Sequence, residues 1–225
     1  YFNAGFTPRQ LHRVAIIGLA AGTIAHQITQ VYGPVPIDGV EIDPAIVDVG
    51  RKYFGMNEAN LHVYEEDGRT FMDTTQSQYD LVAIDAFQQP YIPFQLTTRE
   101  FFTTIRSHLS PTGVIALNTA HTAHDYRLVQ AFVNTMSKVF PSVYTFNVPG
   151  TFNTEVMATM QPTSITTFQH NLAQFDPLST MGQVASEVSP VVTQGHPDGG
   201  IVFTDDLAPI EQITDQLLLD YIEQH

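Results

Sequence analysis

Glycines and carboxylates follow the short apolar runs of this sequence, where they could bind a nucleoside. The segment Gly18-Leu-Ala-Ala-Gly22 follows the first run, Glu41 ends the second, and Asp67 and Asp85 follow two later ones. A glycine turn lets the backbone approach a ligand, and Glu41, 19 residues past Gly22, is placed to accept hydrogen bonds from two ribose hydroxyls. The pattern therefore predicts a nucleoside site. The alternative is an ordinary strand-to-helix turn with Glu41 as a surface acid.

Alternating strands and helices must position these residues. The hydrophobic pattern predicts strands over residues 14–18, 37–41, 61–64, 79–85 and 114–118. It predicts helices over residues 21–30, 44–54, 97–109, 125–139 and 209–223, and a loop with one or two short helices over 162–200. This alternation indicates an α/β fold with a mostly parallel sheet covered on both faces. Ligands of such sheets bind outside the carboxyl ends of the strands, where the glycine turn and the acids lie.

Composition narrows the classes of function. A chain of 225 residues suits one domain, and 9 Lys plus Arg against 23 Asp plus Glu give a net charge of −14. This charge repels phosphate backbones and attracts small cations, so nucleic acid is not an expected partner. The chain has no cysteine, which removes disulfides, thiolate zinc sites and cysteine nucleophiles. No apolar run approaches the length of about 18 residues that a membrane-spanning helix needs. The start, without methionine or a signal sequence, favours a fragment or a processed form.

Several other binding motifs are absent or incomplete. A dinucleotide site needs Gly-x-Gly-x-x-Gly, but Ala20 and Thr23 occupy the second and third glycine positions, which disfavours NAD. The P-loop, Gly-x-Ser-x-Gly and His-Glu-x-x-His motifs do not occur. His121 and His124 could pair on a helical turn, but no third ligand is evident by spacing. We therefore predict no metal site.

Four segments in a fixed order carry a resemblance to a known family. They are residues 14–22, residues 39–54, Glu66-Asp-Gly-Arg-Thr-Phe71 and Tyr79-Asp-Leu-Val-Ala-Ile-Asp85. Together they resemble the spermidine synthase family of polyamine aminopropyltransferases, over roughly residues 10–160. The chain is most similar to spermidine synthase-like domains fused behind membrane segments, whose Thr-Asp-Asp-x-Ala-Pro-x-Glu signature resembles residues 204–211. The Asp205-Asp206 pair in it could face the site, but we expect it to cap the last helix.

The resemblance implies a fold and a domain organisation. The fold is the class I methyltransferase-type Rossmann fold, α/β, with a mostly parallel seven-stranded sheet flanked by helices. We expect one catalytic domain over residues 1–225, with the Rossmann core over about 10–160 and a loop-rich part over 161–225. The expected location is cytoplasmic, either as a free domain or behind an upstream membrane segment of a longer protein. A second copy of the chain is a further candidate partner.

The resemblance also implies an activity, namely aminopropyl transfer from decarboxylated S-adenosylmethionine to a small cationic amine or polyamine. In this scheme Glu41, with Ile42 beside it, binds the ribose, and Asp67, with Gly68 beside it, binds the adenine amino group. The residues lining the sulfur end of the nucleoside are Gly18, Ala20 and Gly22, and those contacting the acceptor are Gln88 and Tyr91. Tyr91 could equally be a packing anchor.

Asp85 becomes the catalytic residue by resemblance, and the chemistry agrees. Attack on a carbon next to a sulfonium needs an unprotonated amine, whereas alkyl amines have pKa values of about 10 by analogy with lysine. A carboxylate at this position could orient the amine and accept its proton. The alternative is that Asp85 is an ordinary acid at the end of a strand and caps a nearby turn or helix.

Two departures from the family pattern keep other functions open. An acid that disfavours the carboxylate of intact S-adenosylmethionine is replaced by Ala20, or by Ala21 if the gap is placed differently. The second acid of the Asp-x-x-Asp motif, which binds the acceptor, is replaced by Gln88. One alternative is therefore a methyltransferase that uses intact S-adenosylmethionine. The other is a non-catalytic nucleoside-sensing domain of a membrane protein.

Overall fold

The computed structural model describes residues 1–3, 11–87 and 90–223, and their strands form an eight-stranded sheet. The strands expected from the hydrophobic runs are present as β1 (Val14–Ile17), β2 (Ile37–Glu41), β3 (Leu61–Glu65), β4 (Tyr79–Ile84) and β5 (Leu109–Ala120). Three further strands follow them, namely β6 (Ser142–Asn147), β7 (Asn153–Thr159) and β8 (Thr193–Gln194).

The sheet has the strand order β3-β2-β1-β4-β5-β7-β6-β8. The first five strands are parallel, and the last three pair antiparallel. This confirms the predicted α/β Rossmann-type fold with a mostly parallel sheet. The strand number differs from the expected seven because β8 adds an edge strand in the part expected to be rich in loops. A strand of two residues has no hydrophobic periodicity by which the sequence could indicate it.

Eight α-helices lie within the described residues, and the expected ones are among them. They are α1 (Thr23–Tyr32), α2 (Pro44–Tyr53), α3 (Gly68–Thr74), α4 (Arg99–His108), α5 (Arg127–Met136), α6 (Ile165–Leu172), α7 (Thr180–Val188) and α8 (Ile210–Glu223). Helices α6 and α7 are the short helices expected between residues 162 and 200. None of the helices in the described residues is long and apolar enough to cross a membrane.

Apolar side chains on both faces of the sheet hold the strands in place. On one face, α3, α4, α5 and α8 pack against β1, β4 and β5, and the buried Phe101, Phe102 and Phe132 belong to this cluster. On the other face, α1 and α2 pack against the alternate side chains of β1, Val14 and Ile16, and against the start of β2. This burial removes the strands from water on both sides, so the ends of the strands have fixed relative positions.

Candidate active site

The carboxyl ends of the parallel strands form a row across the sheet. The registers of β1 with β2 and β4 put Gly18 between Glu41 and Asp85. The row continues through β5 to β7, where Asn118 lies opposite Glu155, and on the other side to the end of β3. Paired residues of neighbouring strands point to the same face of a sheet. We call these six positions the strand-end row: Glu65, Glu41, Gly18, Asp85, Asn118 and Glu155.

Gly18 leaves a gap in the middle of the row. Its φ is +87°, and a Cβ added there would lie 2.4 Å from the backbone oxygen of Asp85. Both observations require glycine, since a side chain would be strained and would collide with the neighbouring strand. The gap separates the two carboxylates, whose backbones are two strand spacings, or about 10 Å, apart.

The Glu41 carboxylate is fixed by the backbone around it. Its side chain is only 8% exposed. Its Oε2 accepts a hydrogen bond of 2.9 Å from the backbone N–H of Ala20, and its Oε1 accepts one of 3.2 Å from Asp43. Each oxygen retains further acceptor capacity, which two ribose hydroxyls could use. Next to it, the Ile42 side chain is 67% exposed and available for apolar contact with a ligand.

The rest of the glycine turn leads into the first helix. Ala20 is exposed and has a φ of +47°, which few residues other than glycine adopt. Gly22 is the residue before α1, and a Cβ added to it would lie 2.5 Å from the side chain of Met56. The turn therefore offers a ligand backbone groups and small apolar side chains, but no charged side chain.

Asp67 has a structural role besides the predicted one. It caps α3, since its Oδ1 accepts hydrogen bonds of 3.0 Å from the backbone N–H groups of Arg69 and Thr70. Its Oδ2 accepts a hydrogen bond of 3.3 Å from Gln95. A Cβ added to Gly68 would lie 2.4 Å from Ile17 Cγ2, so the start of α3 packs closely on β1. The adenine contact of Asp67 stays a prediction, for which Oδ2 is the less occupied oxygen.

An ion pair joins the start of α3 to the segment before α8. The guanidinium of Arg69 donates two hydrogen bonds of 2.7 Å to Asp205, which also accepts one of 2.6 Å from Thr98 Oγ1. Arg69 holds the pKa of Asp205 below its usual value. The expectation that Asp205 caps α8 is therefore wrong, because its carboxylate binds a side chain 136 residues away. Asp206 is exposed.

Asp85 is half-buried and is oriented by Asn118. The side-chain amide of Asn118 donates a hydrogen bond of 3.0 Å to Asp85 Oδ1. This contact leaves Oδ2 without a hydrogen bond from the described residues, so it could accept the proton of an amine. The arrangement is one that a general base needs, with one oxygen held and the other available.

Glu155 is a second carboxylate on the Asp85 side of the row. It forms no hydrogen bond or ion pair with any of the described residues. Burial, and to a lesser degree the negative charge of Asp85, raise the pKa of Glu155 to about 7. Its protonation can therefore change near neutral pH, and a cation nearby would favour the charged form.

Gln88 and Tyr91 are the residues predicted to contact the acceptor, and the structure describes only Tyr91. Gln88 lies outside the described residues. The hydroxyl of Tyr91 donates a hydrogen bond of 2.7 Å to Asp215 Oδ1 on α8. This hydrogen bond joins Tyr91 to the C-terminal helix, and a contact of Tyr91 with substrate stays a prediction.

Histidine residues do not form a metal centre in the described part of the chain. His121 is buried, its Nδ1 lies 3.0 Å from Thr154 Oγ1, and its ring stacks on Tyr126. Burial lowers the pKa of His121, while His124 is exposed. No group of three or more His, Asp or Glu side chains among the described residues is arranged to hold a metal ion.

The sequence patterns missed Asn118 and Glu155. Asn118 was the last residue of a predicted strand, so its position carried the same signal as Asp85. Glu155 is the only Asp, Glu, Lys or Arg residue between Lys138 and Asp176, and it lies in a strand with no other charged residue. A single acid in an otherwise uncharged strand can indicate a functional residue. The face of the sheet on which its side chain lies, however, depends on how β7 pairs with β5.

Comparison with solved structures defines the class of fold. A probable spermidine synthase from Corynebacterium glutamicum ATCC 13032 superposes with a TM-score of 0.68 and 20% identity, covering 87% of this chain and 73% of that chain. Human methyltransferase-like protein 13, solved in complex with SAH, superposes with a TM-score of 0.66 and 20% identity. The superposition covers 85% of this chain and 87% of that chain. The fold is therefore the Rossmann-like fold of the methyltransferases.

Comparison of sequences defines the family. The family model described as the spermine/spermidine synthase domain matches residues 3–170. A probable polyamine aminopropyl transferase of Bifidobacterium longum (strain NCC 2705) is 33% identical over 229 residues, covering 91% of this chain and 50% of that protein. The chain belongs to the spermine/spermidine synthase family. It spans about half the length of the curated relatives it matches.

Proposed function

We propose that this domain transfers an aminopropyl group from decarboxylated S-adenosylmethionine to a small amine or polyamine and releases methylthioadenosine. The observation that carries the proposal is the strand-end row, in which Gly18 separates the carboxylates of Glu41 and Asp85. A nucleoside held by its ribose at Glu41 would extend over the glycine turn and bring its sulfonium beside Asp85. Membership of the spermine/spermidine synthase family supports the same reaction.

The charge of the row supports cationic substrates. Four of its six residues are Asp or Glu, and none is Lys or Arg. Arg69, the cation at the start of α3, is engaged by Asp205. The sulfonium and the protonated amine are both cations, so the carboxylates would attract the two substrates to the same edge of the sheet.

The proposed reaction is a displacement at the carbon next to the sulfonium. The lone pair of the amine nitrogen forms the new C–N bond while the C–S bond breaks, and the electrons of that bond stay on sulfur as a neutral thioether. The nitrogen gives its surplus proton to Asp85. Asn118 would hold Asp85 Oδ1, so that Oδ2 is directed at the amine. Help of this kind from a general base is worth about a hundred- to ten-thousand-fold in rate.

Methyl transfer from intact S-adenosylmethionine is a second candidate, and Ala20 is the observation that favours it. An acid in the glycine turn would repel the carboxylate of the intact co-substrate. Ala20 is exposed there and carries no charge. The intact compound would bind through the same contact at Glu41, and the products would be S-adenosylhomocysteine and a methylated amine.

Product analysis distinguishes these functions. The chain is incubated with each co-substrate and a panel of mono-, di- and triamines, and the products are identified by mass spectrometry. We expect methylthioadenosine and an amine heavier by one aminopropyl group. S-adenosylhomocysteine with a methylated amine would identify a methyltransferase instead. Nucleoside binding without any amine-dependent product would indicate a sensor.

A further inference from the structure

The proposed transfer step does not use the Thr-Asp-Asp motif at residues 204–206, which precedes the last helix. The structure holds this motif in a tight turn, in which backbone hydrogen bonds of 3.0 Å run in both directions between Thr204 and Leu207. The two aspartates of the turn differ in their surroundings. Asp205 accepts hydrogen bonds from two side chains, whereas Asp206 is exposed.

Asp205 joins the starts of two helices. Its two carboxylate oxygens each accept a hydrogen bond of 2.7 Å from the guanidinium of Arg69, the second residue of α3. Its Oδ1 also accepts one of 2.6 Å from Thr98 Oγ1, the hydroxyl that caps α4. The two parallel hydrogen bonds fix the plane of the guanidinium, which a single contact would leave free to rotate.

Arg69 in turn holds the carboxylate of Asp67 from two sides. Its backbone N–H donates a hydrogen bond of 3.0 Å to Asp67 Oδ1. Its guanidinium donates one of 3.3 Å to the backbone oxygen of Gln95, whose side-chain amide donates one of 3.3 Å to Asp67 Oδ2. Without Asp205, the guanidinium could turn to the exposed Asp73, which lies 4.0 Å away one turn along α3. The hold of Arg69 on Gln95 would then be lost.

We infer that Asp205 is a positioning residue for the base end of the nucleoside site, where it acts through Arg69 on Asp67. The inference rests on the proposed function, in which Asp67 accepts a hydrogen bond from the amino group of adenine. In this role Asp205 does not touch the nucleoside. Its effect falls on the choice of base, because a carboxylate held in place accepts from an amino group and opposes an oxo group. A carboxylate that can rotate away tolerates both.

Calorimetry with two nucleosides that differ in this group of the base tests the inference. The probes are methylthioadenosine and methylthioinosine, which carries an oxo group in place of the amino group. We expect wild type to bind methylthioadenosine at least about tenfold more tightly, the scale of one charge-assisted hydrogen bond. Asp205→Asn should reduce this preference by at least about threefold, within the range for residues that act through a neighbour. Asp205→Glu keeps the charge and should keep part of the preference.

A double variant tests whether Asp205 acts through Arg69. Arg69→Gln removes the guanidinium, so it should lower the preference for methylthioadenosine at least as far as Asp205→Asn does. Adding Asp205→Asn to Arg69→Gln should then cause no further loss, since the two residues act as one unit. Additive losses would overturn the inference, because Asp205 would then act independently of Arg69.

Asp206→Asn, in the same turn but exposed, is the matched control and should behave as wild type. A preference that Asp205→Asn leaves unchanged would overturn the inference. Equal binding of both nucleosides by wild type would also overturn it, while an amine-dependent product would still support the proposed function. If neither nucleoside binds wild type, the proposed function and this inference fail together.

Arg69→Lys decides the question if Asp205→Asn does not fold. Lysine keeps the charge but lacks the planar fork that holds Asp205 and Gln95 together. The inference predicts a reduced preference for methylthioadenosine in this variant, and the full wild-type preference would contradict it.

Discussion

The two sides of the strand-end row are held in different ways. We name them after the proposed function, with Glu41 on the nucleoside side and with Asp85 and Glu155 on the acceptor side. On the nucleoside side, both oxygens of Glu41 accept hydrogen bonds from backbone N–H groups, at Ala20 and Asp43. On the acceptor side, Asp85 accepts one side-chain hydrogen bond, from Asn118, and Glu155 accepts none from the described residues. Backbone donors preorganise the first side for one ligand, whereas the second side keeps acceptors available for cations.

This difference separates two kinds of effect. Changes on the nucleoside side should act on nucleoside affinity or on folding, because those contacts belong to the backbone turn. Changes on the acceptor side should act on amine selection and turnover, because the proposed function brings the amine to the carboxylates there. Five variants follow from this comparison, and Asp85→Asn, described last, tests the acceptor side.

The largest effect is expected at Gly18, the boundary between the two sides. Gly18→Ala combines a φ of +87° with a Cβ 2.4 Å from the Asp85 oxygen. Strain and overpacking together should lower the free energy of unfolding by about 2 to 5 kcal/mol, measured by urea denaturation. Gly33→Ala is the control, with a φ of +81° but no atom within 4 Å, and should lose less. If both variants lose the same free energy of unfolding, the close approach of Gly18 to the backbone of Asp85 contributes nothing to the loss.

Glu41→Gln tests the nucleoside side alone. Loss of a charge-assisted hydrogen bond to the ribose should weaken methylthioadenosine binding by about 1 to 3 kcal/mol, measured by calorimetry. Glu65→Gln, an exposed acid in the neighbouring strand of the row, should change it little. Unchanged affinity in Glu41→Gln would remove Glu41 from the site.

Ala20→Asp tests whether the missing acid sets the choice of co-substrate. Wild type should bind intact and decarboxylated S-adenosylmethionine within about a hundredfold of each other. Aspartate tolerates the positive φ of Ala20, and its charge should weaken binding of the intact compound by about 1 to 2 kcal/mol relative to Ala20→Asn. Equal selectivity in the Asp and Asn variants would show that another residue does the filtering.

Asp205→Asn should have the smallest effect, since its ion pair with Arg69 is partly exposed. We expect a loss of less than about 1 kcal/mol in the free energy of unfolding at pH 7. The pKa of Asp205 is lowered in the folded state, so the difference from wild type should be present above about pH 4 and vanish as the pH falls further. A difference that persists in acid would assign the effect to packing rather than charge.

Sequence patterns predicted the relative positions of Gly18 and Glu41 better than those of Asn118 and Glu155. The glycine turn and Glu41 are close in sequence, so spacing along the chain indicated their relation. The pairing that brings Glu155 to Asn118 depends on β7 crossing back antiparallel beside β5, which no local pattern encodes. The Arg69–Asp205 pair likewise joins segments 136 residues apart. Local motifs thus predicted the parallel half of the sheet. The antiparallel half and the Arg69–Asp205 pair depend on contacts between residues far apart in sequence.

The most direct test of the account measures nucleoside binding and turnover together in Asp85→Asn. This change keeps size and a hydrogen-bond acceptor but removes charge and basicity. If Asp85 takes the proton of the amine, turnover should fall by about a hundredfold or more, with methylthioadenosine affinity changed by less than about 1 kcal/mol. If wild type is active and Asp85→Asn keeps its full rate across pH 6 to 9, the proposed mechanism is contradicted, because Asp85 cannot then be the base.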